Sequence, residues 1–295
     1  MPFFRRSFDP HLALARPFAA HDTHAVLALA RNASRRYLTV AADEIDELLD
    51  HEPAAVLEYE NRVVAAAVAG WRLPPNAWLR ALLVDSRVDA AQAIPLLVPR
   101  LHQLLPGRGV RAAYITLDEW STPWARASLE AAGYRHVMNV LGYDKAGMDV
   151  PSYGDLSVVV RRARPEDLAA VLRVDAACFP IPWGKGEEIL GPALNNGPYF
   201  AVAEIDGTIV GYTYVTVHFA GMHAHLVRIA VTPPYQGRGV GVRLLAEVVR
   251  FCSGRRIELL SLNTQDYNAP AQRLYEWFGF RRTGETQQVM GAEFA

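Results

Sequence analysis

A chain of 295 residues with 51% hydrophobic, 21% charged and 10% aromatic side chains has ordinary globular composition, enough for one large domain or two of roughly 150 residues, and is neither disordered nor fibrous. Its 30 basic against 31 acidic side chains leave a formal charge of −1, which excludes a general polyanion binder, so neither nucleic acid nor an anionic membrane is expected as a partner. Two cysteines, Cys178 and Cys252, are too few for a disulfide scaffold or a cysteine zinc cluster; no metal site is expected, one disulfide stays open on the count, and the reducing cytoplasm is the expected compartment.

In chain order, the stretch from Met1 to Ala20 is interrupted by Arg5, Arg6, Asp9, Arg16 and Pro17, so no secretory leader is expected. No window approaches the roughly 20 apolar residues of a bilayer span. Sheet-like segments follow around Glu58 and from Leu79 to Asp85. Pro106-Gly107-Arg108-Gly109-Val110 reads as a turn ahead of a strand from Ala112 to Leu117. The Gly/Pro/Asp-rich stretch from Gly147 to Asp155 reads as a seam. Beyond it, strands are expected over Ser157–Val160, Tyr199–Glu204, Ile209–Thr216, Leu226–Val231 and Ile257–Leu262. A helix is expected after Gly241, carried by Leu244, Leu245, Val248, Val249 and Cys252, and another carries Ala271, Leu274, Tyr275 and Phe278.

The two halves repeat one pattern. The run Tyr-Ile-Thr-Leu-Asp-Glu-Trp-Ser-Thr-Pro-Trp from Tyr114, ending at Gly133-Tyr134, has a counterpart from Leu260 that ends at Gly279-Phe280, an offset of 146 (279 − 133). The same offset pairs Leu79–Asp85 with His225–Val231 and Glu58 with Glu204. An offset of 145 pairs Arg16 through Leu27 with Arg161 through Leu172. Each half reads strand, helix, further strands, helix, strand, helix, strand. The expectation is an α/β (α+β layered) architecture in duplicate, with domains over 1–148 and 156–295.

Between a strand ending at Val231 and the helix after Gly241 lies Thr232-Pro233-Pro234-Tyr235-Gln236-Gly237-Arg238-Gly239-Val240-Gly241. Glycines at a strand-to-helix turn let backbone approach a ligand, and the first helical turn offers unpaired N–H groups to an anion, so the turn suits a phosphate group. Arg238 either adds a charged contact or is a solvated turn residue. A nucleotide P-loop fails, because Val242-Arg243 follow Gly241 where Lys and Ser/Thr are needed. A dinucleotide fingerprint should open its domain, whereas this loop comes late.

With its surroundings the loop resembles the GCN5-related N-acetyltransferase (GNAT) family, whose Gln/Arg-x-x-Gly-x-Gly/Ala loop is matched by Gln236-x-x-Gly239-x-Gly241. Asn268, Leu274-Tyr275 and Gly279-Phe280 match the family's last characteristic stretch, and about 157 to 295 can be laid on the fold. The resemblance implies two tandem domains, each with a mixed central sheet flanked by helices. It further implies acetyl-CoA as cosubstrate and direct acetyl transfer to a primary amine of a small molecule or peptide. The cofactor-binding residues implied are Ile229, Ala230 and Val231 on the strand, Gln236, Gly237, Arg238, Gly239, Val240, Gly241 and Val242 in the loop and helix start, and Asn268. Tyr275 is the implied acid for the departing thiolate, although its helical stripe with Ala271, Leu274 and Phe278 equally suits a core residue.

A lysine-like amine with a pKa of about 10.4 must lose a proton before it attacks, so a base or a water chain is needed. His223 and His225 alternate onto one face with Val227, Ile229 and Val231, and His225 sits where some family members keep a Glu or a His. His225 is therefore the candidate base, a merely structural histidine being the other reading. Cys178-Phe179-Pro180-x-Pro182-Trp183 resembles the acceptor loop of the ribosomal-protein alanine acetyltransferases, but those enzymes carry Glu where this chain has Asn263. Phe179, Trp183, Tyr199 and Phe200 are candidates to line an acceptor pocket or to be core.

Subtracting 146 maps Gln236 to Ala90, Gly239 to Ala93, Gly241 to Pro95, Asn268 to Thr122, Tyr275 to Leu129 and His225 to Leu79. Pro95 has no N–H and Asp89 adds negative charge, so the first half is expected to be a degenerate copy that does not hold coenzyme A. Two rival functions stand beside the small-molecule enzyme: a protein N-terminal acetyltransferase and a non-catalytic acyl-CoA sensor. A monomer or a homodimer is expected.

Overall fold

A computed structural model describes residues 8–42, 44–118 and 122–294, the side chains of 71 and 72 excepted. Arg5 and Arg6 of the N-terminal stretch and Glu119–Ser121 of the repeated segment lie outside the described residues. The first half of the chain runs β1 (Leu14–Pro17), α1 (Thr23–Asn32), β2 (Arg35–Leu38), α2 (Ile45–His51), β3 (Ala54–Tyr59), β4 (Arg62–Leu73), β5 (Asn76–Val84), α3 (Ala90–Leu104), β6 (Ala112–Asp118), α4 (Pro123–Ala131) and β7 (Arg135–Lys145). The second half runs β8 (Val159–Arg162), α5 (Leu168–Cys178), α6 (Glu187–Asn196), β9 (Tyr199–Ile205), β10 (Thr208–His218), β11 (His223–Val231), α7 (Val240–Gly254), β12 (Leu259–Gln265), α8 (Ala269–Trp277) and β13 (Arg281–Glu293). Residues 147–155 carry no helix or strand, and Pro106–Arg108 is a single 3-10 turn closed by left-handed Gly109.

The chain packs into two compact units, Met1–Met138 with Gln287–Ala295, and Asn139–Thr286. In the first, the strand order is β1-β3-β4-β5-β6-β13, with β2 on β5; in the second it is β7-β12-β11-β10-β9-β8. Each unit is thus closed by the last strand of the other half of the sequence. The parallel pairs are β5 with β6 and β11 with β12, and the other pairs are antiparallel, giving a mixed sheet in each unit. Matching two-residue hairpin turns, Glu60-Asn61 and Asp206-Gly207, join β3 to β4 and β9 to β10 with positive φ, the geometry that follows strand twist.

Burial follows period. In α7, Leu244, Leu245, Val248, Val249 and Cys252 are buried at helical spacing against β9, β10 and β11. On the other face of the second unit, α5 and α6 bury Val171, Val174, Leu190 and Leu194 over Phe200, Val202, Tyr212 and Tyr214. Phe278, read as the end of the last helical stripe, is the residue that caps α8 and is fully buried. Cys178 and Cys252 are both free thiols. Among the described residues, no helix is long and apolar enough to cross a membrane.

The same ion triad ties the start of each unit. Arg16 donates to Asp22 Oδ2 at 2.6 Å, to Asp22 Oδ1 at 2.8 Å and to Glu58 at 2.9 Å. Arg161 donates to Asp167 Oδ2 at 2.7 Å, to Asp167 Oδ1 at 2.9 Å and to Glu204 at 3.0 Å. Each aspartate also accepts a backbone N–H at the entry to the first helix, from Ala19 at 2.9 Å and Arg164 at 2.7 Å. Strand, helix start and hairpin are thereby locked together by one bidentate arginine.

Replacing Arg161 with Met is expected to lower stability by about 2 kcal/mol at pH 7, read by denaturant unfolding. The guanidinium holds the Asp167 carboxyl below its ordinary value, so this contribution is present above about pH 4 and lost as pH falls through the depressed value. The gap between wild type and variant should therefore close in acid, and a gap independent of pH would contradict the assignment.

Candidate active site

β11 and β12 run parallel and pair from His223↔Leu259 to Leu226↔Leu262, where their ladder ends. Both strands continue, β11 against β10 up to Val231 and β12 against β7 up to Gln265, so they part and leave a cleft between them. Its volume is about 500 Å³. Ile229, Ala230, Val231, Gln236, Gly237, Gly239, Gly241, Val242, Asn268 and Tyr275 all line it, as do Asn263 and Phe179. Arg238, Val240 and His225 are not among the lining residues. Arg238 instead lies over the Tyr235 ring, at 5.5 Å, and Val240 is buried.

At the cleft, the glycine loop makes a 3-10 turn, Pro233–Tyr235, and then left-handed bends at Gly237 (φ 72°) and Gly239 (φ 79°). Gly239 is the N-cap of α7 and brings no side chain to the helix start, so the first-turn N–H groups are not side-chain capped. Space beside Gly237 is open, whereas a Cβ on Gly239 would stand 3.1 Å from the backbone nitrogen of Asp155. The carbonyl of Val231 accepts from the Gln236 side chain at 2.8 Å and from the Cys178 thiol at 3.1 Å, which fixes the strand-to-loop corner. A long, anion-bearing ligand with a flexible arm fits these groups: an open strand edge below and free helix-start donors above.

Tyr275 is 6% exposed, with its ring beside Tyr143 and Phe280. Burial raises its phenol well above the ordinary value, and the hydroxyl has no hydrogen-bond partner among the described residues. The ring belongs to the core cluster packed on α7, and the same residue lines the cleft. Asn268 caps α8, its Oδ1 accepting from the Ala271 N–H at 3.3 Å.

One expectation about β11 fails. Pairing with β10 goes from Tyr214↔Arg228 to Val215↔Leu226, so Val227 is an extra residue, a bulge that breaks the alternation. Val227 and Ala230 pack in the α5 cluster, while Ile229 and Val231 pack toward α7. His223 and His225 therefore do not share a face with Ile229 and Val231. His225 is largely buried, its Nδ1 2.8 Å from Ser261 Oγ, and burial together with His223, His218 and Lys185 pushes its pKa down to about 4.

Sequence reasoning also missed a buried ion pair. Asp175 on α5 is 1% exposed and Arg228 on β11 is 7% exposed, with Nε 3.2 Å from Asp175 Oδ2. Asp175 accepts from the Tyr212 hydroxyl and from the Lys185 N–H at 2.7 Å; Arg228 donates to the Trp183 carbonyl and lies 3.8 Å from the centre of the Phe179 ring. The pair pins the segment Phe179–Lys185 beside the cleft. An acid on α5 four positions before Phe179, where the aromatic–proline run begins, and an arginine inside an apolar strand were the available signals. Tyr199 and Phe200, candidates for an acceptor pocket, are core: Tyr199 stacks on Phe251 at 4.6 Å and Phe200 on Tyr212 at 5.5 Å.

The first unit shows what became of the corresponding cleft. β5 pairs with β6 only at Asn76–Trp78, but β2 covers the rest of that edge, Arg35↔Val84 to Leu38↔Ala81. Tyr37 on β2 reaches Thr116 on β6 at 3.1 Å. The helix start is also taken, since Asp89 caps α3 by accepting from the Ala91 N–H at 3.0 Å. The uniform offset of 146 fails here: α3 and α7 are both 15 residues long but start 150 apart (240 − 90), so Asp89 corresponds to Gly239 and Pro95 lies deeper in the helix than supposed.

Residues 168–280 match the model of the acetyltransferase (GNAT) family. A Bacillus subtilis chain carried under the provisional name ribosomal protein bS18-alanine N-acetyltransferase is 32% identical over 125 residues, 42% of this chain and 82% of the relative. Mycothiol acetyltransferase of Streptomyces bingchenggensis is 30% identical over 241 residues, 72% of this chain and 76% of the relative. Among solved structures, a tandem GNAT protein from the clavulanic acid biosynthesis pathway superposes with a TM-score of 0.62 at 18% identity, covering 95% of this chain and 98% of that one, a likeness of fold alone. With its glycine loop, parted strands and duplicated fold, this chain belongs to the GNAT acetyltransferase family as a tandem member.

Proposed function

We propose that the chain is an acetyl-CoA-dependent N-acetyltransferase acting on a primary amine of a small molecule or peptide, with its active site in the second unit and 1–148 and 156–295 as the duplicated segments. The observation that carries this reading is the cleft where β11 and β12 part, with an uncapped helix start at the glycine loop. When bound, acetyl-CoA supplies an activated acetyl group as a thioester. The edge of Ile229–Val231 offers backbone groups to the acyl arm and carbonyl, and Gly237, Gly239, Gly241 and Val242 offer N–H groups to the pyrophosphate. Arg238 and Val240 support the loop's shape, and Asn268 presents its amide from the α8 cap.

On the acceptor side, His225 is the proposed base. With a pKa of about 4 its ring is neutral at pH 7, with a lone pair available to the amine proton. Tyr275, kept protonated by burial, gives its phenolic proton to the sulfur as the C–S bond breaks, the direct-transfer chemistry needing no covalent enzyme intermediate. Phe179 and Asn263, both lining the cleft, shape the acceptor end.

A second reading, a protein N-terminus as acceptor, is favoured by the segment Phe179–Trp183 and by the Bacillus subtilis relative. Asn263, where the ribosomal-protein enzymes carry Glu, opposes it. Incubation with acetyl-CoA and a panel of lysine, aminosugars and peptides beginning with alanine, followed by mass spectrometry, separates the two.

Tyr275→Phe is expected to lower kcat about 100-fold while the dissociation constant for acetyl-CoA changes less than about twofold. Unchanged turnover would remove Tyr275 as the acid, and a protein that binds acetyl-CoA but acetylates nothing in a broad panel would support the sensor reading. Gly241→Leu is expected to abolish acetyl-CoA binding, measured by calorimetry, without unfolding the protein, because a Cβ there makes only ordinary contacts, 3.7 Å from Leu274, and the remainder of the side chain fills the cleft. Wild-type affinity in that variant would place the ligand elsewhere.

A further inference from the structure

The proposed base is the inner end of a hydrogen-bonded chain. Ser261, directly across from His225 on β12, has its Oγ 2.8 Å from His225 Nδ1 and 2.8 Å from His223 Nε2. A serine hydroxyl carries one proton, and with the Ala224 carbonyl 3.5 Å away and both rings at 2.8 Å, the shorter contacts have it donate to one ring and accept an N–H from the other. The order that leaves His225 Nε2 free as a base is His225 Nδ1–H to Ser261, and Ser261 O–H to His223 Nε2. His223 stacks on exposed Phe219 at 5.7 Å and lies 6.3 Å from the exposed ring of His218, toward solvent.

We infer that His225, Ser261 and His223 form a proton relay that carries the amine proton from the acceptor site to solvent. The inference rests on His225 being the base. As the new C–N bond forms, the amine proton passes to His225 Nε2. The Nδ1 proton of His225 moves to Ser261 Oγ, the original hydroxyl proton moves to His223 Nε2, and His223 releases its Nδ1 proton to water. Both rings end neutral and the hydroxyl intact. After product leaves, proton exchange with water and rotation of the hydroxyl restore the starting tautomers.

The need for a relay is electrostatic. Charge on His225 is opposed by burial and by three cationic or potentially cationic neighbours: His223 on its own strand, His218 on β10 and Lys185 from the acceptor segment. β12 contributes only the neutral Ser261, and β7 places Asp144 directly across from Ser261, where its carboxylate favours positive charge on the Ser261 side of His225. A base in that setting works when it passes the charge on. Ser261 and His223 do not touch the amine; they act through His225.

The test uses the intact protein with acetyl-CoA and whichever amine of the panel above is turned over fastest. Ser261→Ala and His223→Asn are each expected to lower kcat about tenfold at pH 7 and to shift the rising limb of the kcat–pH profile upward, with acetyl-CoA affinity unchanged. The double variant should be no slower than either single one, and Ser261→Thr, which keeps the hydroxyl, should restore the wild-type profile. An unaltered profile in Ser261→Ala, or additive losses in the double variant, would overturn the relay. Imidazole ¹⁵N spectra between pH 4 and 9 judge it even if no amine is acetylated, an outcome that would sink the proposed activity instead. The relay predicts that His223 and His225 titrate as a coupled pair that Ser261→Ala uncouples, and independent titration in the wild type would refute it.

Discussion

The proposed activity depends on two parallel strands that stop pairing. β11 and β12 are hydrogen-bonded up to Leu226 and Leu262, and each is then held only by its outer neighbour. A strand edge inside a sheet normally has its backbone groups satisfied by a ladder, and leaving it open has a cost that a bound molecule can offset. The bulge at Val227 coincides with the parting and turns Val227 and Arg228 toward α5. The residues proposed for the acyl side and the acceptor side thereby come from opposite faces of one strand.

The duplicated fold supplies its own control. Both units keep the arginine triad that joins first strand, first helix and hairpin, within a layer of helices on a mixed sheet. They differ at the corresponding edge. In the first unit β2 pairs with it and Asp89 caps the helix behind it; in the second the segment after α5 stays a loop, held off the strand by Arg228 and Asp175. A buried ion pair is weak as a stabilising element because desolvation offsets much of its Coulomb energy. Here it holds one conformation of a loop, and the open edge depends on that conformation.

Much of this was legible in the residues. Gln236-x-x-Gly239-x-Gly241 after an apolar strand marked the loop, and the periods of Leu244–Cys252 and Ala271–Tyr275 marked the two helices that flank the cleft. The repeat offsets even pair Arg16 with Arg161 and Glu58 with Glu204, the matching members of the two ion triads. What could not be read were the features set by pairing rather than by pattern. A bulge adds one residue to one strand without a composition signal, so strict alternation misplaced His225 relative to Ile229. The connection before α7, residues 232–239, is longer than its counterpart 85–89, so a constant offset compared Gly241 with Pro95 when Asp89 and Gly239 hold the same position. The short strand Arg35–Leu38 and the closing strands supplied by the opposite halves are long-range choices among several possible edges.

The central claim is that one of two homologous clefts is open and the other sealed. Hydrogen exchange with and without acetyl-CoA, resolved to peptides across the whole chain, tests it most directly. Slowed exchange in Val227–Val242 and in Asn268–Tyr275, with no change across Ala81–Leu97, is the result the structure predicts. Protection of Ala81–Leu97, or of neither region, would contradict it.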